Sequence, residues 1–168
     1  MKNKTAFMGL LLAFALILSY IETLIPLQTG IPGAKLGLAN LAIVLCLYLF
    51  EWKEALVLTT IKAVLSGFMF GNLFMILYSL AGAWVSCIVM IIMKRTGWFH
   101  VPVVSIAGGV MHNMGQLLVA VFAVETYHVF YYMPFLMIAG LVTGLVIGSV
   151  AALVLPYLQN IVSKGNLS

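Results

Sequence analysis

Residues 126–163, with the sequence TYHVFYYMPFLMIAGLVTGLVIGSVAALVLPYLQNIVS, contain no lysine, arginine, aspartate or glutamate. Two further stretches, 63–93 and 96–124, are also free of these four residue types. A helix needs about 20 mainly apolar residues to span the hydrocarbon of a bilayer. Transmembrane β-strands would alternate in polarity instead of forming solid apolar runs. The three stretches therefore predict membrane-spanning helices.

The composition of the whole chain agrees with this interpretation. Of the 168 residues, 64% are hydrophobic and only 7% are Asp, Glu, Lys or Arg. A soluble domain carries about 25% charged residues, because these cover the surface that faces water. A chain so poor in charge needs lipid around it, so its first predicted partner is the bilayer itself.

Short polar or Pro/Gly-rich segments interrupt the apolar runs at 26–34, 51–54, 71–72, 94–97 and 125–132. These breaks predict an all-α, polytopic membrane protein whose single transmembrane domain covers residues 1–168. The six predicted spans are about 5–25, 36–50, 54–70, 73–93, 102–124 and 134–157, with boundaries good to about two to four residues.

The basic residues indicate how the spans are oriented. If successive spans alternate in direction, most basic residues fall on one face, and Lys35 falls on the other. Lysine and arginine concentrate on the cytoplasmic side of membrane proteins, so both termini are predicted to be cytoplasmic. Because these residues are scattered at span ends, nucleic acid is not a predicted partner. The residues of the basic face are Lys2, Lys4, Lys53, Lys94, Arg95 and Lys164.

The residue types that several kinds of catalysis require are missing or dispersed. The chain has no Asp, and its four Glu residues lie far apart, so paired carboxylates and magnesium clusters lack their parts. Cys46 and Cys87 form no CxxC pair, and His100 and His128 fall at opposite predicted membrane faces. A GxxxxGK[ST] nucleotide-binding motif is also absent from the sequence. We therefore predict a protein that is not an enzyme and that has no metal or cofactor.

Two groups of small residues predict close helix packing. Gly140, Gly144 and Gly148 are spaced by four in the sixth span, so they share one helix face that another helix can approach closely. Gly9 and Ala13 have the same spacing in the first span. The partner of either face can be another helix of this chain or a separate protein.

Lys62 lies near the middle of the third predicted span. A lysine at such a depth costs at least about 2.5–3.5 kcal/mol on insertion scales. It is therefore predicted to face the interior of the bundle and to have a partner there. Ligand binding is one interpretation, and a lysine held by backbone carbonyl groups is the other.

The fifth span carries a second polar group at similar depth. Residues His112 and Gln116 share one helix face, and Asn113 lies beside it. Together with Lys62, these side chains predict a polar cluster that binds a ligand; hydrogen bonds that only fix the packing of helices are the alternative. Lys35, at the predicted outer mouth, would favour an anionic ligand, unless it pairs with Glu22.

Residues 32–40, PGAKLGLAN, and residues 112–116, HNMGQ, resemble the Gx transporter family, which is also labelled heptaprenyl diphosphate synthase component I. The resemblance extends over about residues 5–158, and the family is similar to the substrate-binding S components of energy-coupling-factor vitamin transporters. It implies a six-helix, S-component-like bundle in a bacterial plasma membrane, in which the first loop and the later helices enclose a small molecule near the outer face. The residues to which ligand binding would carry over are Lys35, Asn40, His112, Asn113 and Gln116.

The resemblance also implies partners. A small-residue face on the first helix, here Gly9 and Ala13, would dock an energy-coupling membrane subunit that works with ATPases. The leading hypothesis is thus a substrate-binding membrane subunit for an amphipathic or anionic molecule, such as a vitamin, a flavin precursor or an isoprenoid or quinone head group. Two alternatives are a membrane anchor for a flavoprotein in extracellular electron transfer and an accessory subunit of a prenyl diphosphate synthase.

Overall fold

A computed structural model describes residues 2–24, 37–124, 130–131 and 133–164. Within these ranges the chain forms six α-helices and no strand, so the all-α, six-helix prediction is confirmed. The predicted loop at 26–34 and Lys35 lie outside the described residues. The helices are α1 (Lys2–Leu24), α2 (Asn40–Leu49), α3 (Trp52–Phe70), α4 (Leu73–Thr96), α5 (Val101–Val124) and α6 (Met133–Lys164).

Four of these helices are long and apolar enough to cross a membrane, namely α1, α4, α5 and α6. Helix α3 has 19 residues but carries Lys53, Glu54 and Lys62. Helix α2 has only 10 residues, which at about 1.5 Å per residue is half the thickness of the hydrocarbon layer. The chain is therefore a multi-pass helical membrane protein in which one short helix lies among longer ones.

Helices α1 and α3 run parallel to each other. The ammonium of Lys4 lies 2.9 Å from the carboxylate of Glu54 at one end. At the other end the ring centroids of Tyr20 and Phe70 are 5.5 Å apart. Helix α2 packs against both α1 and α3.

Helix α2 is the central element of the bundle. Its residues from Ala42 to Leu47 are all buried, and it contacts α1, α3 and α6. The helix begins later than the predicted position 36, because Gly37 adopts a positive φ of 80°. That left-handed conformation suits glycine, and it lets the N–H of Asn40 bond to the Gly37 carbonyl at 2.8 Å. A turn therefore replaces the expected first turn of helix.

Helices α4, α5 and α6 pack side by side in chain order. Helix α4 begins where the side chain of Asn72 accepts a hydrogen bond from the N–H of Met75 at 2.9 Å. It ends at Gly97, whose φ of 72° is left-handed. Both are standard helix-terminating features, and they extend the helix to Thr96 from the predicted end at 93.

The glycine face of α6 packs against α5. A methyl group added at Gly144 would lie 2.7 Å from Cα of Ile106, and one added at Gly148 would lie 2.6 Å from Cα of Pro102. At Gly140 it would meet the backbone of α5 at 2.8 Å. The sequence allowed either a helix of this chain or a separate protein to pack on this face. In the structure the partner is α5 of the same chain.

The small-residue pair on α1 has a different environment. Both Gly9 and Ala13 are exposed on the surface of the bundle, and a methyl group added at Gly9 would meet no atom within 4 Å. No described part of this chain therefore packs closely on that face.

Helix α6 continues past the predicted end at 157. Pro156 lacks the N–H that an uninterrupted helix would use, yet the helix extends to Lys164. Leu155 and Val162, on either side of the proline, are both part of the hydrophobic core. Their packing keeps the last turns helical.

Candidate functional site

The polar residues singled out in the sequence converge on a small cavity between α2, α4, α5 and α6. Its volume is about 10 Å³, which is room for one water molecule. Three of the six residues predicted to bind a substrate line it. The lining residues are Asn40, Val44, Ser86, Met90, Ser105, Gly108, Gly109, His112, Asn113, Thr143, Gly144 and Ile147.

The polar side chains around this cavity are deeply buried. His112 is 5% exposed, and Ser86, Ser105 and Asn113 are also buried. Burying a polar group away from water is unfavourable unless it finds a hydrogen-bond partner. The Oγ of Ser86 has no such partner among the described residues, so one polar atom at the cavity remains available to a ligand or a water molecule.

Asn113 has a structural partner. Its Nδ2 donates a hydrogen bond of 2.6 Å to the carbonyl oxygen of Leu136 on α6. This contact ties α5 to α6 near the point where α6 begins. Asn113 therefore forms a hydrogen bond that fixes the packing of two helices, and any contact with a ligand would be in addition to that bond.

Helix α4 approaches α5 closely at the level of His112. A methyl group added at Gly82 would lie 2.6 Å from Cγ of Gln116 and 3.3 Å from Cε1 of His112. The glycine therefore lets both α5 side chains lie against the backbone of α4. Gln116 is 2% exposed and lies one turn from His112 on the same helix face.

Lys62 on α3 is 7% exposed and belongs to the buried face of its helix. The Nε1 of Trp84 donates a hydrogen bond of 3.1 Å to the hydroxyl of Thr60, which pairs α3 with α4. These helices run antiparallel, so two residues forward from Thr60 on α3 correspond to two residues back from Trp84 on α4. This places Lys62 at the same height in the bundle as Gly82. Lys62 thus lies at the depth of the α5 polar residues, although it is not one of the residues that line the cavity.

The glycines that precede His112 make room for helices. A methyl group added at Gly108 would lie 2.8 Å from Cγ of Met90 on α4, and one at Gly109 would meet the carbonyl oxygen of Gly140 on α6. Both glycines therefore let a neighbouring helix approach α5 closely. These close contacts explain why so little free volume is left beside His112.

Several residues of the site were not singled out from the sequence. Ser105 is one turn before Gly109 and two turns before His112, so its position on the same helix face was a usable signal. Ser86 and Thr143 gave no comparable signal. Glu22, which the sequence suggested as a partner for Lys35, does not line the cavity; its buried carboxylate accepts a hydrogen bond of 2.5 Å from the N–H of Leu38, just before α2 begins.

The predicted site residues thus fall into three groups. Asn40, His112 and Asn113 line one cavity, whereas Gln116 and Lys62 lie at the same depth around it. Lys35 lies outside the described residues. Ligand binding by any of them stays a prediction. Among the described residues, no three His, Cys, Asp or Glu side chains are grouped so that they could hold a metal ion.

Comparison with known proteins gives one match. A family model described as heptaprenyl diphosphate synthase component I matches residues 11–154, which include α2 to α5 and every cavity-lining residue. No curated protein and no solved structure matches the chain. Because the family model covers far more than half of the sequence and the fold is a multi-pass helical bundle, the chain belongs to the heptaprenyl diphosphate synthase component I family.

Proposed function

We propose that this protein is a non-catalytic membrane subunit that binds a small amphipathic or anionic molecule for a transport system. The observation that carries the proposal is the polar cluster, defined as Asn40, Ser86, His112 and Gln116, in which Asn40 is half-buried and the other three are buried. These groups lie in the middle of a bundle whose outside is apolar. Ionisable residues such as His112 are costly and rare inside membrane bundles, and they mark substrate or ion pathways there.

The chemistry of the cluster favours a ligand with a polar end and an apolar body. The imidazole of His112, the hydroxyl of Ser86 and the amide of Gln116 can all donate hydrogen bonds. Val44, Met90 and Ile147 supply apolar walls on the same cavity. The ammonium of Lys62 at the same depth adds a positive charge, which favours an anionic head group.

The cavity must widen before such a ligand can enter. Small-molecule sites have volumes of about 300–1,000 Å³, whereas this cavity has room for one water molecule. Asn40 and Val44 of α2 line the cavity, so a shift of α2 away from α5 would widen it. In this proposal the ligand enters from the outer side.

Coupling to energy would come from partner proteins. The exposed face of Gly9 and Ala13 is compatible with close approach of a helix from another subunit. An energy-coupling membrane subunit with its ATPases is the partner that the similarity to S components suggests. Both termini would then lie on the cytoplasmic side, with the basic residues.

The family description favours a second candidate, an accessory subunit of a prenyl diphosphate synthase. In that case the polar cluster would hold the polar end of a prenyl compound while another subunit performs the transfer. A chain without Asp lacks the residues for diphosphate chemistry of its own.

Untargeted mass spectrometry of small molecules extracted from the detergent-purified protein tests the proposal. Retention of one vitamin-like or flavin-like molecule per chain is the expected result. If a prenyl compound is retained instead, and membranes lacking this chain lose prenyl transfer from an allylic diphosphate, the second candidate holds. A protein that is folded yet retains nothing, with or without cell extract added, would contradict both.

A further inference from the structure

The surface between α3 and α4 carries a groove that faces away from the polar cluster. Its volume is about 480 Å³, and its walls come from both helices. Two contacts define the line along which the helices meet. The first is the hydrogen bond from Trp84 to Thr60, and the second places Cζ of Arg95 5.3 Å from the ring centroid of Trp52. The groove residues are Leu56, Val57, Thr60, Ile61, Trp84 and Ile88.

One end of this groove is positively charged. Two cations lie close to the indole of Trp52, which starts α3, with Nζ of Lys53 5.7 Å and Cζ of Arg95 5.3 Å from its ring centroid. Trp52, Leu56 and Thr60 are spaced by four along α3, so the cations lie at the end of the same helix face that lines the groove.

The N–H groups of Lys53 and Arg95 have no carboxylate partner among the described residues. Two carboxylates lie nearby on the chain, Glu51 and Glu54. Glu54 is paired with Lys4 at 2.9 Å, and within the described residues neither Lys53 nor Arg95 forms an ion pair with a carboxylate. A guanidinium and an ammonium near the same indole ring can each donate hydrogen bonds to a phosphate oxygen.

The groove itself suits an acyl chain better than a protein helix. Close helix contacts in membranes use small residues, whereas this groove is walled by Trp84, Ile88 and Ile61, all exposed and bulky. We propose that the groove between α3 and α4 binds an anionic phospholipid of the leaflet on the basic face. Its phosphate is bound by Lys53 and Arg95 beside Trp52, and an acyl chain lies along the groove.

Tryptophan fluorescence in reconstituted bilayers tests this inference. The protein with Trp98→Phe keeps Trp52 and Trp84, the two tryptophans of the groove. It would be placed in bilayers of phosphatidylglycerol and phosphatidylcholine in which one or the other lipid carries brominated acyl chains. Because each basic residue near a surface favours anionic lipid by about fivefold, brominated phosphatidylglycerol should quench more than brominated phosphatidylcholine at equal mole fraction.

In the double variant Lys53→Gln/Arg95→Gln, the two brominated lipids should quench the tryptophan fluorescence equally. The matched control for this variant is Lys164→Gln, which removes a basic residue at the end of α6 and should keep the preference. Quenching by brominated phosphatidylcholine in every variant shows that the protein is inserted. Three results would each overturn the inference. Both lipids could quench equally before mutation, the stronger quenching by phosphatidylglycerol could persist in the double variant, or neither lipid could quench Trp52 and Trp84.

Discussion

At the scale of single residues, Asn113 connects two helices within the membrane. Its amide donates to the carbonyl oxygen of Leu136 at 2.6 Å, in a buried position. Asn113→Ala should lower the free energy of unfolding by about 0.6–1.7 kcal/mol, the range measured for hydrogen bonds between membrane helices. Unfolding in mixed micelles with increasing denaturing detergent measures this change.

Asn160→Ala is the control for that variant, because Asn160 is exposed near the end of α6. Its effect should stay within about 0.5 kcal/mol of zero, as for most surface substitutions. Equal stability of the two variants would mean that the bond to Leu136 does not hold α5 and α6 together.

The depths of polar residues were predictable from the sequence, but their partners were not. The central positions of Lys62 and His112 follow from counting residues along apolar runs, and both are buried in the structure. That Gln116 would lie against Gly82, or that Ser86 would line the cavity with Asn40, depends on how helices distant in sequence pack. A single sequence does not indicate which residues of two distant helices lie at the same height in the bundle.

At the scale of helices, the glycine face of α6 determines how closely α5 and α6 approach. A methyl group at Gly144 would lie 2.7 Å from Cα of Ile106 and 2.8 Å from the carbonyl oxygen of Ser105. Backbone atoms cannot move aside as a side chain can, so Gly144→Ala should destabilise the protein by about 1–3 kcal/mol, the usual cost of overpacking. The same detergent titration measures it.

Gly9→Ala is the matched control, since a methyl group there meets no atom within 4 Å. It should leave stability within about 0.5 kcal/mol of the original protein. If Gly9→Ala were as costly as Gly144→Ala, the assignment of the α6 glycines to internal packing would lose its support.

Helix ends were predictable where a local residue determines them. Asn72 and Gly97 bound α4 close to the predicted limits. The start of α2 was predicted too early, although a local residue determines it, because Gly37 adopts a left-handed φ and turns the chain before Asn40. The end of α6 was not predictable, because core contacts of Leu155 and Val162 continue the helix past Pro156.

At the scale of the whole molecule, the basic residues predict which side of the membrane each turn occupies. Both native cysteines are buried, so an added cysteine can be labelled selectively. Trp98→Cys, on the basic face, should react with a membrane-impermeant maleimide only after the cells are permeabilised. Tyr131→Cys, on the opposite face, should react in intact cells. The reverse pattern would invert the proposed topology and place the termini outside.

The central claim is that the polar cluster holds a small molecule, and His112, which is 5% exposed, is the titratable side chain of that cluster. The most direct measurement is the amount of co-purified small molecule per chain in His112→Gln, with His100→Gln as the matched histidine control at an exposed position. A buried group left unsatisfied costs about 1–3 kcal/mol, so His112→Gln should retain roughly tenfold less, whereas His100→Gln should retain the original amount. Full retention by a folded His112→Gln protein would contradict the account.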